Sequence, residues 1–312
     1  MTLSTTGQER QVKNFVSSPR RRPISKKHYN FFTSIYLLVP PLLIYVLFII
    51  YPLIRLIGLS FWQWDGVGIA QWNGITNYAA ILENERLRDA FLHALILIIF
   101  YSILPIIISL PLASLLIRSK TPGLAFFRTI VFLPQVIAMV VLAISWRRIY
   151  AIDGPLNRFL SFWGLGGNRS WLGSFDTALI AVGLIGTWVS IGLVSVLLMA
   201  GMSKIPETHY EAATIDGVGP IGKFWYITLP SLKAEILVCA TLTTINALKT
   251  FDLVYMTTSG GPGTSTTVPS YEVYYQAFRS GHVGTAAALA VVLTLVIFLI
   301  NLCINWFGER EN

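Results

Sequence analysis

The stretch Ile205–Pro230, IPETHYEAATIDGVGPIGKFWYITLP, is polar and turn-rich and lies between two long apolar runs in the second half of the chain. Pro206 stands where a first helical turn tolerates proline, and Glu207 beside it meets the positive end of the helix dipole. Tyr210, Ala212 and Ala213 continue the helix, and Gly217 supplies the flexible residue that ends it. Pro220 opens a second short helix carrying Phe224, Trp225 and Ile227, which stops at Leu229–Pro230. Two short helices joined at Asp216–Gly217 predict an elbow on a membrane surface, with alanines small enough to let a partner approach. On pattern alone the segment also reads as a plain structured loop between two spans.

Outward from this elbow the chain is strongly apolar. Of 312 residues, 54% are hydrophobic and only 12% charged, about half the charged share of a soluble domain. Several apolar runs of about 18 residues or more fix the class as a polytopic, all-α membrane protein. Cys239 and Cys303 both fall inside apolar runs and read as small core residues, not as a disulfide or metal pair.

Six spans are predicted, near residues 34–59, 91–117, 124–146, 177–202, 231–248 and 284–306. The first is too long for a signal-peptide core and lacks a small-residue cleavage site, so it reads as an uncleaved span. Pro40, Pro41 and Pro52 are expected to break or kink it. Trp62, Trp64 and Trp72 in the following loop suit interfacial anchoring. A tight turn is expected from Arg118 to Gly123. The fourth span carries Gly183, Gly186, Gly192 and Ser195, which predicts close helix packing and a central place in the bundle. A short amphipathic helix is expected at Tyr271–Phe278. The chain thus divides into a basic tail, 1–30, and a membrane domain, 31–312, with the elbow at 203–230.

The net charge is +8, yet seven of the cations lie before the first span, at Arg10, Lys13, Arg20, Arg21, Arg22, Lys26 and Lys27. That placement suits a cytoplasmic N-terminus; with no folded basic domain attached, nucleic-acid binding is a poor reading. Six spans then put the elbow and both termini in the cytoplasm. On this assignment 14 of the 23 Lys and Arg fall inside and 9 outside. Arg147, Arg148, Arg158 and Arg169, all in one outer loop, run against the rule.

Some patterns are set aside. Gly217–Lys223 fits two glycine-rich nucleotide motifs, but both require a strand entering the loop, and here a helix enters. Pro220 lacks one needed amide, and Phe224 has no hydroxyl for a metal. His28, His93, His209 and His282 show no ligand spacing, and no catalytic constellation is visible. Asn168-Arg169-Ser170 matches a glycosylation sequon, a pattern common by chance.

Glu211-Ala212-Ala213, Asp216-Gly217 and Ile227-Thr228-Leu229-Pro230, with Ile205-Pro206 and Tyr210 before them, resemble at matching spacing the EAA loop of ABC-importer permeases. Val218 and Ala234 depart from that pattern, and neither removes the elbow. Phe132-Leu-Pro134 with Trp146, Phe251-Asp252-Leu-Val-Tyr255 with Gly260-Gly261-Pro262, and Tyr274-Tyr275-Gln276-Ala277-Phe278 are similar to the carbohydrate-uptake branch. Within that branch they resemble the first permease of maltose and glycerol-phosphate systems. The resemblance implies the six-transmembrane-helix type I importer fold in a prokaryotic cell membrane. It also implies a second homologous permease, two cytoplasmic ABC ATPase subunits that bind the ATP, and an extracytoplasmic solute-binding protein. The chain itself would hold no cofactor or metal and would not be an enzyme. The coupling residues carried over are Tyr210, Glu211, Ala212, Ala213, Asp216, Gly217, Phe224, Leu229 and Pro230.

A sugar pathway needs hydrogen-bonding groups and an aromatic plate. Thr243, Asn246 and Thr250 recur on one face of the fifth span, and Trp188, Gly192 and Ser195 share a face of the fourth. Trp188, Thr243, Asn246 and Thr250 are therefore the candidate pathway residues. Thr294, Asn301 and Asn305 form a weaker stripe on the sixth span. Such stripes also glue helices to one another, the plainer reading. Lys249 and Asp252 are expected to pair with each other or with loop groups. The rival class is a self-powered secondary transporter, which would carry ionisable groups deep in its spans and two matching repeats.

Overall fold

The computed structural model describes residues 31–118 and 123–309. The expected basic tail, most of the turn after Arg118 and the last three residues lie outside them. The described residues divide into two compact units, parted between Leu53 and Ile54.

In the first unit, α1 (Phe31–Tyr45) runs through Pro40 and Pro41 and passes into a π-helical turn, Val46–Ile50. Pro40 and Pro41, expected to break or kink the run, do not break it and are accommodated inside helix. The next helix, α2 (Tyr51–Leu59), starts in this unit, follows the π turn without a break and carries Pro52. Tyr36–Leu59 has the length and composition of a span.

In the second unit the expected loop after residue 60 is ordered. Strands β1 (Trp62–Gln63) and β2 (Gln71–Trp72) pair antiparallel, Trp62 opposite Trp72, and α3 (Thr76–Glu83) follows. Buried Asn77 donates to the carbonyls of Ser60 and Trp62 at 2.9 and 3.0 Å. Next come α4 (Glu85–Ile98), a π turn (Ile99–Ile103) and α5 (Leu104–Arg118), in which Glu85–Ile117 qualifies as one long span. It starts earlier than the hydropathy suggested, because Asn84 caps it by accepting from the Arg86 amide at 3.0 Å.

The third span is not one rod. It is α6 (Leu124–Val136) and α7 (Met139–Ile149), bent by 104°. Pro134 removes an amide from the last turn of α6, and Ile137 and Ala138 then take extended backbone with ψ near 134° and 135°. A short helix, α8 (Pro155–Phe162), leads to α9 (Ala178–Met202).

Span α9 is the centre, as its small residues predicted: half of its apolar window is buried, the largest share of any unbroken span. A Cβ added at Gly183 would lie 2.5 Å from the Phe100 ring, and one at Gly186 2.1 Å from the Tyr101 ring. The missing side chains are what let the π turn lie against α9. Thr187 secures the contact by donating to the Phe100 carbonyl at 2.6 Å.

After the elbow come α13 (Lys233–Leu248), α14 (Asp252–Thr257), α15 (Pro269–Phe278) and α16 (Val283–Glu309). Helix α15 is the predicted amphipathic piece, opened by proline two residues earlier than expected. Ala286, Ala287 and Ala288 at the start of α16 are buried, and α15 packs along it. Four helices among the described residues are long and apolar enough to cross a membrane unbroken. Two bent pairs bring the number up to six.

Candidate functional site

Helix α10 (Glu207–Ile215) forms the first limb of the elbow and ends at Asp216. Gly217 adopts φ +76°, its amide meets the Thr214 carbonyl at 3.1 Å, and the Val218 amide meets the Ala213 carbonyl at 2.8 Å. This pair of bonds is the Schellman closure, which requires the left-handed residue that glycine supplies. The second limb begins with α11 (Pro220–Lys223), Pro220 at its first position. It continues through a π turn, Phe224–Thr228, into α12 (Leu229–Ser231).

The limbs are tied together twice. Tyr210 Oη and Thr228 Oγ1 lie 3.0 Å apart, and Lys223 Nζ donates to Thr214 Oγ1 at 2.6 Å. Ala213 and Thr228 form the buried seam. Glu211, Ala212, Asp216, Gly217 and Pro230 are exposed; Tyr210, Phe224 and Leu229 are half-buried. The exposed apolar face is therefore made of residues that sequence reasoning did not single out for contact: Ile215, Ile221, Trp225 and Tyr226. Tyr210, Phe224 and Ile227 sit further inside. The region between Gly217 and Lys223 is helix, turn and helix with no strand entering it, unlike a phosphate loop.

At the base of the elbow, Lys204 pairs with Glu235 at 3.1 Å, linking the end of α9 to the start of α13. Leu198, Met202, Leu232 and Cys239 pack there in one buried cluster. Two spans thus leave the elbow from a common root.

Both spans reach a cavity of about 270 Å³. Gln135 at the α6–α7 break, Ser190 of α9, and Asn246, Lys249 and Thr250 at the far end of α13 line it, with Asp252 beside them. Of the four candidate pathway residues it brings together Asn246 and Thr250. Thr250 Oγ1 lies 3.4 Å from Tyr101 Oη on the cavity wall. Thr243 is fully buried elsewhere, its hydroxyl 2.7 Å from both Ser102 Oγ and the Cys239 carbonyl, which is helix-to-helix adhesion. Trp188 sets its ring edge-on to Trp146 at 5.5 Å and does not line the cavity.

Lys249 and Asp252 both line the cavity, but no ion pair joins them among the described residues. Thr294 and Asn301 bond to carbonyls of their own helix at 2.8 and 2.7 Å. Gln135 and Ser190 were missed in the sequence; Pro134 was the available signal for a broken helix there. No group of three or more His, Cys, Asp or Glu among the described residues is placed to hold a metal.

A family model described as "Binding-protein-dependent transport system inner membrane component" matches residues 106–310. A probable ABC transporter permease protein, YurN of Bacillus subtilis, is 34% identical over 274 residues, covering 86% of this chain and 93% of that protein. The trehalose/maltose transport system permease protein MalF of Thermococcus litoralis is 31% identical, covering 85% of this chain and 89% of that one. In fold, the chain matches a bacterial ABC transporter involved in import of the polysaccharide alginate. The TM-score is 0.76 at 22% identity, over 89% of this chain and 96% of that one. The matched family, the spans on either side of the elbow and the long relatives agree: this chain belongs to the binding-protein-dependent transport system inner membrane components, the permeases of ABC importers.

Proposed function

We propose that the chain forms one half of the pathway of an ATP-driven sugar importer and takes its work from the ATPase through the elbow. One observation carries this reading: α9 and α13 leave a common root at the elbow, and both supply cavity residues, Ser190 from one and Asn246, Lys249 and Thr250 from the other. A push on the elbow therefore moves two walls of the cavity. Ile215, Ile221, Trp225 and Tyr226 offer an apolar face for a groove on the ATPase. Such coupling does work only if ATPase closure favours one permease state over another.

In this reading a second, similar permease completes the pathway, and two cytoplasmic ATPase subunits bind the ATP. An extracytoplasmic binding protein delivers a sugar, the cargo in the names of relatives such as MalF. In this reading the chain crosses the membrane six times, with both termini and the elbow in the cytoplasm. The chain performs no chemistry.

The test is copurification in mild detergent followed by reconstitution in liposomes. The expected result is an accompanying ATPase and sugar uptake that requires ATP. Proton-driven uptake by this chain without an ATPase would establish the rival secondary transporter.

A further inference from the structure

Helix α8 presents an apolar face to the outside of the fold. Phe159, Phe162 and Trp163, at i, i+3 and i+4, share one side of it and are 60%, 82% and 62% exposed. Their rings touch each other edge to face, Phe159 to Trp163 at 6.3 Å and Phe162 to Trp163 at 5.7 Å. Leu165 just beyond is exposed as well.

This face is held out by a fixed scaffold. Asn157, almost fully buried, reaches the carbonyls of Ala151, Ile152 and Arg169 through Nδ2 at 3.1, 3.2 and 2.9 Å. Its Oδ1 accepts from Trp171 Nε1 at 2.9 Å. Leu156, one turn before Phe159, packs into the main core and anchors the start of the helix.

The place of α8 in the chain sets its depth. It lies between the end of α7, the second limb of a bent span, and the start of span α9. On the six-crossing reading given above, on which this inference rests, it sits at the membrane interface opposite the elbow. Arg158 precedes Phe162 by one turn and is exposed, and Arg169 stands over the Trp171 ring at 5.4 Å. Aromatic side chains on one face and arginines at its flank suit a helix lying in the interface.

We infer that α8 is a lipid-binding element: its aromatic face sinks into the headgroup and upper acyl layer, and Arg158 and Arg169 pair with phospholipid phosphates. The chemistry favours anionic lipid. It also gives the arginines of the 147–175 loop a reason to lie on the side where charge counting would not put them. Trp171 and Leu156 pack on the same cluster as Leu253, which lines the cavity, so the lipid contact steadies the cavity wall.

The test uses the complete transporter, with its binding protein, in nanodiscs of phosphatidylcholine and phosphatidylglycerol. A p-benzoylphenylalanine in place of Phe162 is photolysed and the adducts weighed by mass spectrometry. The expected major product is a phospholipid adduct, enriched in phosphatidylglycerol. Arg158→Gln and Arg169→Gln should each reduce that enrichment, by up to about fivefold. A binding-protein adduct as the major product would make the face a protein-docking surface and overturn the inference. A probe recovered unattached, or adducts indifferent to both arginines, would overturn it as well.

Discussion

Arg86 and Glu272, 186 residues apart in the chain, are joined by a 2.8 Å bond from Nε to Oε1, with the carboxylate fully buried. Thr267 Oγ1 donates to the same oxygen at 2.5 Å, and the guanidinium stands 4.2 Å above the Tyr275 ring. The start of α4, the loop before α15 and α15 itself are locked by this one contact. Arg86→Met leaves a buried carboxylate without its cation, which costs about 3–5 kcal/mol. Because a third of Arg86 is exposed, water moves the cost toward the low end. The double variant Arg86→Met with Glu272→Met removes both charges and should recover most of the loss. Thermal unfolding of the detergent-purified transporter measures this; a double variant no more stable than the single would refute it.

Gly217 tests the elbow. Nothing lies within 4 Å of a Cβ built there, so any effect of substitution comes from its φ of +76° and not from crowding. A β-branched residue in that conformation costs roughly 1–2 kcal/mol or more, whereas asparagine tolerates it. Gly217→Val should lower uptake per ATP hydrolysed severalfold in proteoliposomes, while Gly217→Asn stays close to the unaltered protein. Equal behaviour of the two variants would remove the turn from the coupling argument.

Gly284 marks a close approach instead. A Cβ there would sit 1.9 Å from the Trp62 carbonyl oxygen, at the point where the Val283 amide meets the Trp64 carbonyl at 2.9 Å. Gly284→Ala must push the β1–β2 hairpin off the start of α16, at a cost of about 1–3 kcal/mol. Limited proteolysis should cut the hairpin faster in the variant. An unchanged cleavage rate would mean that the hairpin is not held there.

The elbow was legible in the sequence because its signals are local: proline starts, a glycine stop, and polar residues between apolar runs. The centrality of α9 was legible for a related reason, since glycines in a span have few uses besides close packing. The cavity was only half legible. The Thr243–Asn246–Thr250 stripe gave the correct helix face but not how far along it the cavity begins. The dividing point is Ser102, on a different span, which claims the hydroxyl of Thr243. The bend after Pro134 was hidden because proline inside an apolar run is compatible with a kink, a break or neither, as Pro40 and Pro41 show by staying within helix. Pairing of Arg86 with Glu272 had no local sign at all.

That division predicts opposite phenotypes for two neighbouring residues of α13. Asn246 is exposed and lines the cavity, so Asn246→Ala removes a hydrogen-bonding group from the proposed path without opening a void in the core. A hydrogen bond to cargo contributes about 0.5–1.5 kcal/mol. The KM for whichever sugar the transporter takes up should therefore rise by roughly two- to tenfold, with the melting temperature unchanged. Thr243→Ala instead strips a buried bond between α13 and the π turn of the second span. It leaves Ser102 Oγ only the longer contact from Thr244 Oγ1, at 3.4 Å, and should lower the melting temperature with little change in KM. Thr243→Ser keeps the hydroxyl and should restore stability. A Thr243→Ala transporter that melts normally but loses sugar affinity would put Thr243 back on the path and return the cavity to the full length of the stripe.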